Sequence, residues 1–428
     1  MDRISELPNA LILKILSSLP TKDVVTTMVL SKRWQCLWMF VPRLEYSDDM
    51  YGDGEDGRFS RFVYSSLMLH EAPVLESLCL KLGQKSGAID IGVCVRPAVK
   101  RNVRELIIEI DDSSTETPVT LPRSLYKSCI MLVTLELNNA VLVDSHTLIS
   151  FPSLINLELT SMKYPSDEFI KKFLSSCPVL TYLSVEQCLG DNVAILVVRV
   201  PSLKVLSLDK SSVDEYHQGF VIDTPCLESL DIVDYTKGFC VIEHSMPKVV
   251  EASIDVAYYH TGRILGSLPS VQQFELCLFT SKGAYFEGTI FRRLVRLELC
   301  TCDSAWLDLL MRLLKDAPKL RFLELVQYHE IDTKDPRPCW NEPSYVPECL
   351  LSSLETFVWR KYEGSKEEKE VATFILRNSG YLEIATFYPK STDPIENLQM
   401  LMELSMSPRR SPICQLAFHR NLNPLSEE

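Results

Sequence analysis

The sequence predicts an α/β solenoid, a stack of repeats that each add one short parallel strand, preceded by a small helical module and closed by an α+β region. Three observations predict it. The pattern P-x-L-x-x-L-x-L, seen in FPSLINLEL at residues 151–159, returns along most of the chain. Residues 7–38 switch instead to helical spacing of apolar side chains. Beyond Leu325 the spacing lengthens across a proline-rich insertion, DTKDPRPCWNEPSYVPECL.

Aligned on the residue two past the proline or its equivalent, the copies centre on Leu75, Val103, Leu132, Leu154, Leu180, Leu203, Leu227, Val249, Val271, Leu294, Leu320 and Leu354, mostly 22 to 29 residues apart. That period is the one of leucine-rich repeats, in which a unit cannot bury its apolar face without a stacked neighbour. Residues 170–177 (IKKFLSSC) and 306–317 (WLDLLMRLLKDA) have helical spacing between successive strands and belong on the outer face. The copies from Leu203 to Val271 leave room only for loops or short extended return arms.

In such a strand the leucines point to the core and the residues beside the last two point to the concave side. The central column there reads Glu136, Glu158, Ser184, Ser207, Asp231, Ser253, Glu275, Glu298 and Glu324, with no base. Neighbouring columns add Glu186, Asp209, Glu251 and Asp255 against one base, Arg296. Parallel strands lie about 4.8 Å apart, so adjacent acids repel unless something screens them. Glu136, Glu158, Asp231, Glu275, Glu298 and Glu324 are the candidate residues for holding a Lys- or Arg-rich segment of a protein substrate; the alternative is that they only keep exposed strands soluble and guard against edge pairing.

Composition agrees with a protein partner. The chain has 428 residues, 46% hydrophobic and 24% charged, with a net charge of -13, and such an acidic field disfavours nucleic acid. No apolar run approaches the ~18 residues of a membrane span, and Asp2 and Glu6 stand where a signal peptide wants positive charge. A cytoplasmic or nuclear location is expected. The fourteen cysteines are scattered, with Cys129 and Cys177 just before a strand and Cys277 and Cys300 just after one. Reduced thiols packed as small apolar groups fit that scatter. Cys300-x-Cys302 lacks a second pair at ligand spacing, so no metal is expected.

At the N-terminus, Leu11, Ile12, Ile15, Leu16 and Leu19 form a broad stripe closed by Pro20. Thr21 can cap a second helix carrying Val24, Val25, Met28 and Val29, and Ser31 a third carrying Trp34, Leu37 and Trp38. Three short helices have too little interior for all these side chains. The run LPNALILKILSSLPTKDVVTTMVLSKRWQCLW closely resembles an F-box, through Leu7-Pro8, Ile15-Leu16, Leu19-Pro20, Asp23-Val24 and Ser31-Lys32-Arg33-Trp34. The resemblance implies docking onto a Skp-type adaptor, and through it a cullin. It carries the contact over to Leu7, Pro8, Ile12, Ile15, Leu16, Leu19, Leu30 and Trp34.

After the F-box comes an acidic, glycine-rich stretch, DDMYGDGEDG. Its formal G-x-G-x-x-G at Gly52, Gly54 and Gly57 is not a nucleotide site, since no strand precedes it and Asp53, Glu55 and Asp56 would repel a pyrophosphate. Residues 59–69 read as a helix with Phe59, Phe62, Val63 and Leu67 inward, capping the open end of the stack. The whole arrangement resembles plant F-box proteins with leucine-rich repeats, including LPRSLYKSC from Leu121, VLVD from Val141 and LSSCPVL from Leu174. The Trp that the family often carries before Ala98-Val99 is absent.

In the C-terminal region SSLETFVWRKY reads as a strand, and SKEEKEVATFILRNSG as a helix with Ser365 as its cap and Gly380 just past its end. Leu382 to Tyr388 is a further strand. Cys339-Trp340, Pro343, Val346-Pro347, Cys349-Leu350, Leu354 and Trp359, with Glu370, Ala372, Phe374-Ile375-Leu376 and Asn378, resemble the FBD-type region of plant F-box proteins. The expected domains are 1–45 F-box, 46–70 acidic loop and capping helix, 71–335 leucine-rich repeats, and 336–428 FBD-type region including the last repeat.

No G-x-S-x-G, H-E-x-x-H or phosphate-loop motif occurs. His70, His146, His217 and His329 stand singly near turns, where a structural role is expected. The acidic column also lacks the basic cluster with which auxin-receptor-type relatives hold an inositol phosphate, so no cofactor is expected. The reading is a non-catalytic substrate-recognition subunit of a Skp-cullin-F-box E3 ubiquitin ligase. The alternative is a repeat-based protein-binding scaffold whose F-box serves assembly without ubiquitin transfer.

Overall fold

The computed structural model describes residues 4, 6–51, 57–83, 91–111, 119–123, 125–126, 129–142, 149–187, 192–210, 219–236, 238–258, 261–278, 290–303, 305–329 and 340–419. Contacts divide the chain into two compact units, Met1–Ser212 and Val213–Glu428.

The first unit opens with helices α1 (Asn9–Leu16), α2 (Thr21–Thr26) and α3 (Trp34–Leu37). Pro8 and Pro20 stand immediately before α1 and α2, where a fixed φ suits the helix start. The sequence placed Thr21 and Ser31 as caps, but the side chain of neither caps a helix. Thr21 Oγ1 instead accepts the Glu45 N–H at 2.9 Å, and the Ser31 carbonyl, not its hydroxyl, receives the first N–H of α3. Ile12, Leu16, Val24, Trp34, Leu37, Trp38 and Val41 form a closed core.

From here the chain runs β1 (Arg43–Ser47), α4 (Arg58–Leu69), β2 (Ser77–Leu82), α5 (Ile91–Lys100), β3 (Glu105–Ile110), β4 (Val119–Thr120), β5 (Thr134–Asn138), β6 (Ala140–Val141), β7 (Asn156–Thr160), α6 (Asp167–Ser175), β8 (Tyr182–Glu186), β9 (Ile195–Arg199) and β10 (Val205–Lys210). Strands β1-β2-β3-β5-β7-β8-β10 make one parallel sheet in that order. The sheet therefore starts one strand before the first recognised repeat. Helix α4 was expected to cap an open end; it is the connection between β1 and β2, tied to β1 by Tyr46 Oη and Ser66 Oγ at 2.8 Å. In α5 the small side chains of Cys94, Val95 and Ala98 share the buried face with Ile91 and Val99.

The second unit comprises β11 (Gly219–Asp223), β12 (Ser229–Asp234), β13 (Phe239–Ile242), β14 (Glu251–Val256), α7 (Gly262–Gly266), β15 (Gln273–Leu278), β16 (Arg296–Cys300), α8 (Trp306–Asp316), β17 (Phe322–Val326), α9 (Glu348–Ser352), β18 (Thr356–Tyr362), α10 (Lys366–Asn378), β19 (Ile384–Pro389), α11 (Pro394–Ser405) and β20 (Gln415–Phe418). Its parallel sheet runs β12-β14-β15-β16-β17-β18-β19-β20. The return arms β11 and β13 pair in parallel in a second, small sheet, the extended form the short spacing predicts, whereas the arm between β14 and β15 carries the short helix α7, which that spacing did not predict. Helices α6 and α8 lie where helical spacing places them.

All twelve aligned anchors, from Leu75 to Leu354, are at most 1% exposed. Each precedes its strand by two residues, and a shared hydrogen-bond rung explains the precision of the stack. One carbonyl accepts from two successive N–H groups of the next repeat: Arg104 from Val133 and Thr134, Val133 from Ile155 and Asn156, Val250 from Gln272 and Gln273. The same rung joins Pro42 to Glu76 and Ser77, and Glu355 to Glu383 and Ile384. The C-terminal region is thus α/β, with strands that carry on the ladder of the repeats. It is anchored by Trp359, fully buried against Trp306, Phe357 and Tyr362 at ring distances of 5.9, 6.0 and 5.2 Å.

Candidate functional site

The structure separates the eight F-box positions. Ile12, Leu16 and Trp34 lie in the helical core, at most 4% exposed. They hold the module together. Pro8, Ile15, Leu19 and Leu30 are exposed, and Leu7 is half-buried against the core. Two further residues join the outward set, Leu11 at 49% and Val29 at 86% exposed. Helical periodicity explains the split: on an eight-residue helix, Ile12 and Leu16 are one turn apart on one face, and Leu11 and Ile15 one turn apart on the next. Arg33 fixes the entry of α1 by donating to Asn9 Oδ1 from Nε at 3.1 Å and Nη2 at 2.7 Å, and to the Leu7 carbonyl.

The acidic column has the predicted register. In the first unit Glu136 pairs with Glu158, and Glu158 with Ser184. In the second, Asp231 pairs with Ser253, Ser253 with Glu275, Glu275 with Glu298, and Glu298 with Glu324. Burial and the neighbouring Glu158 push the Glu136 carboxyl up from its ordinary value. The effect is largest at Glu298, pushed up to about 7 by burial and by Glu324 and Glu275 beside it.

Glu324 departs from the expectation of an open, unscreened acid. It is 3% exposed, and it is ion-paired with Arg296 at 3.1 Å and with Arg360 Nε. Arg296 reaches Glu298 as well, at 3.7 Å, and its guanidinium lies 3.8 Å from the Phe322 ring centre. Arg360 comes from β18, one strand past the last acid of the column. Its position four residues into the next strand was the signal, since register carries a strand's fifth residue toward the same face. Of the other acids of the column, Glu275 is exposed and Glu136, Glu158, Asp231 and Glu298 are half-buried.

The cysteines are unbridged among the described residues. Cys129 and Cys177 are buried just ahead of their strands as expected, but Cys277 and Cys300 lie within β15 and β16 rather than after them. Cys302 then has two sulfur neighbours: the Sγ atoms of Cys277, Cys300 and Cys302 all fall within 4.8 Å of one another. Sequence spacing could not find this, because Cys277 comes from the preceding repeat. His70 is a structural histidine, with Nε2 2.8 Å from the Val41 carbonyl and its pKa lowered by burial. His146 and His217 lie outside the described residues.

A helical module with an apolar outer face, joined to stacked parallel strands of leucine-rich-repeat type, defines an F-box protein with leucine-rich repeats. The F-box domain family model matches residues 4–45, the model for the LRR repeats of FBD-associated F-box protein At5g56370 matches 92–253, and the FBD model matches 342–387. Among Arabidopsis thaliana proteins the chain is 56% identical to "Probable FBD-associated F-box protein At1g32375" over 98% of its own length and all of the relative's. It is 53% identical to "Putative FBD-associated F-box protein At5g56390", over 99% and 100% of the two chains. To "F-box/FBD/LRR-repeat protein At5g56420" it is 49% identical, over 97% and 99%. The chain belongs to the plant FBD-associated F-box proteins. Among the described residues, no helix is long and apolar enough to cross a membrane.

Proposed function

We propose that this chain is the substrate-recognition subunit of a Skp-cullin-F-box E3 ubiquitin ligase. The F-box docks the Skp-type adaptor, the repeats hold a protein substrate, and the chemistry of ubiquitin transfer belongs to other subunits. The observation that carries the reading is the outward apolar set Pro8, Leu11, Ile15, Leu19, Val29 and Leu30, on a module whose core is complete without them. Burying a large apolar side chain contributes about 1.5–3 kcal/mol, so four or five of these offset the cost of association.

Ile15→Asp combined with Leu30→Asp should abolish co-purification of the adaptor while leaving the fold intact, since neither side chain lies in the core. An unchanged pull-down would rule out this docking face. The substrate surface is the acidic face of the repeats, Glu136 and Glu158 in the first unit and Asp231, Glu275, Glu298 and Glu324 in the second, each taken by itself, and its partner carries Lys or Arg. Within it Glu324 acts by holding Arg296 and Arg360, and Glu275 and Glu298 meet the partner. Glu275→Lys with Glu298→Lys should release a substrate trapped by an F-box-disabled chain. Retention of every partner would exclude the acidic face. Co-purification of cullin, together with a bound partner that accumulates when the proteasome is blocked, separates a ligase subunit from a scaffold that transfers nothing.

A further inference from the structure

Two residues beyond the acidic column, the open face of the second unit changes character. Strand register sets Asp255 on β14 against Cys277 on β15. The alignment of Glu275 with Glu298 and Leu276 with Leu299 brings Cys277 level with Cys300, the last residue of β16. Strands about 4.8 Å apart therefore place a carboxylate and two sulfurs in one row without help from any loop. Two loop residues complete the group, Cys302 just past β16 and His329 just past β17. Cys277 Sγ lies 3.5 Å from Cys302 Sγ. It also falls within 4.8 Å of ligand atoms of Cys300, Asp255 and His329.

We propose that Cys277, Cys300 and Cys302 bind a Zn2+ ion, with Nδ1 of His329, which adjoins Cys277, as the fourth ligand and Asp255 holding the opposite ring nitrogen. A Zn–S bond of about 2.3 Å in a tetrahedron requires sulfurs roughly 3.8 Å apart; Cys277 and Cys302 stand at 3.5 Å and every sulfur pair lies within 4.8 Å. Three thiolates and one imidazole are a common set for structural zinc, and thiolate softness selects it over Ca2+ or Mg2+. Metal-ligating histidines are held from behind by carboxylates. Here His329 Nε2 stands 3.0 Å from Asp255 Oδ2. Tyr235 donates its hydroxyl to that same oxygen at 3.0 Å, and its ring meets His329 edge-on at 5.3 Å.

Small apolar packing accounts for buried cysteines placed one per repeat, such as Cys129 and Cys177. It gives no reason for three thiols to converge beside an imidazole oriented by a carboxylate. Cys277 and Cys300 are buried, whereas Cys302 and His329 are half-buried, so an ion can enter from the open face and finish in a dry site. On binding, the three thiols lose their protons to solvent and no electron moves. The ion then clamps the ends of β14 to β17 next to Glu275 and Glu298.

The test is metal titration of the reduced, chelator-stripped full-length chain. One equivalent of Co2+ should produce thiolate-to-metal charge-transfer absorption and the intense d–d bands of a tetrahedral site. One equivalent of Zn2+ should displace it and raise the Tm. Cys302→Ser and Cys300→Ser should each lower the charge-transfer intensity by about a third and weaken Zn2+ binding at least ~10-fold. Asp255→Asn should retain the spectrum but weaken Zn2+ by about 10–100-fold. Cys36→Ser, at an exposed cysteine of the F-box, should change nothing. Where Cys300→Ser fails to fold, Cys302→Ser, at a half-buried loop position, decides. Absence of thiolate bands with the parent chain, or a Cys302→Ser variant that matches Cys36→Ser, overturns the proposal. A Cys277–Cys302 disulfide in the isolated chain, with no Zn2+ taken up after reduction, overturns it equally.

Discussion

Glu324 and Glu298 occupy equivalent places on adjacent strands, yet their environments differ. Glu324 is enclosed by two guanidiniums, which supply hydrogen bonds as well as charge. Glu298 has Arg296 at the longer distance of 3.7 Å and accepts from the Tyr328 hydroxyl, and burial among other acids, outweighing Arg296 and Arg360, raises its pKa from 4.5 to about 7. A raised carboxyl pKa means that the folded chain binds the proton more tightly than the unfolded one. The resulting stability is fully present below about pH 4.5 and is lost as pH rises through 7. Glu298→Gln should therefore stabilise the fold at pH 8 by up to about 2 kcal/mol, with the gain disappearing below pH 4.5. Urea unfolding at the two pH values measures this, and a Gln variant less stable than the parent at pH 8 would contradict it. A basic partner would favour the ionised form, so its affinity should rise between pH 6 and 8.

Elements with strong local signals formed as read. Helix α10 begins with a complete capping box: Ser365 Oγ accepts the Glu368 N–H at 3.2 Å, and Glu368 accepts the Ser365 N–H at 3.1 Å. Ser365→Ala should cost about 1 kcal/mol in chemical denaturation, whereas Ser365→Asp should cost little. Gly380 follows the helix and donates to the Leu350 carbonyl at 3.0 Å. A Cβ there would stand 3.1 Å from the Leu351 carbonyl oxygen, which explains the glycine by close approach. The two end strands carry weak local signals. Strand β1 has only Leu44 and Tyr46 as inward residues, and β20 is four residues long, too little for a repeat pattern. Both strands are held by a neighbour already in the sheet.

At the scale of the whole molecule, the F-box carries its unpartnered apolar residues on a chain with a net charge of -13. Expressed alone, the chain should be poorly soluble, and co-expression with a Skp-type adaptor should rescue it. Equal soluble yields in the two cases, measured by sedimentation and gel filtration, would count against an adaptor face. Each compact unit keeps its own core, and all the aligned anchors are buried. Interrupting a repeat should therefore affect its neighbours first, as nearest-neighbour stacking requires.

The sequence by itself determined the repeat period, the register of the acidic column, the three-helix start and the capped helix α10, because each depends on residues close together in the chain. Strand alternation settles which way Glu158 and Leu159 face before any contact between repeats is known. Only the tertiary structure decided which F-box residues are core and which are surface, since Ile12 and Ile15 look alike until neighbouring helices cover one of them. It alone paired Arg360 with Glu324, 36 positions apart, and brought Cys277 beside Cys300 and Cys302 of the next repeat and beside His329 of the one after. In a solenoid, side chains one repeat apart in sequence become neighbours through strand stacking, and local spacing carries no trace of that proximity.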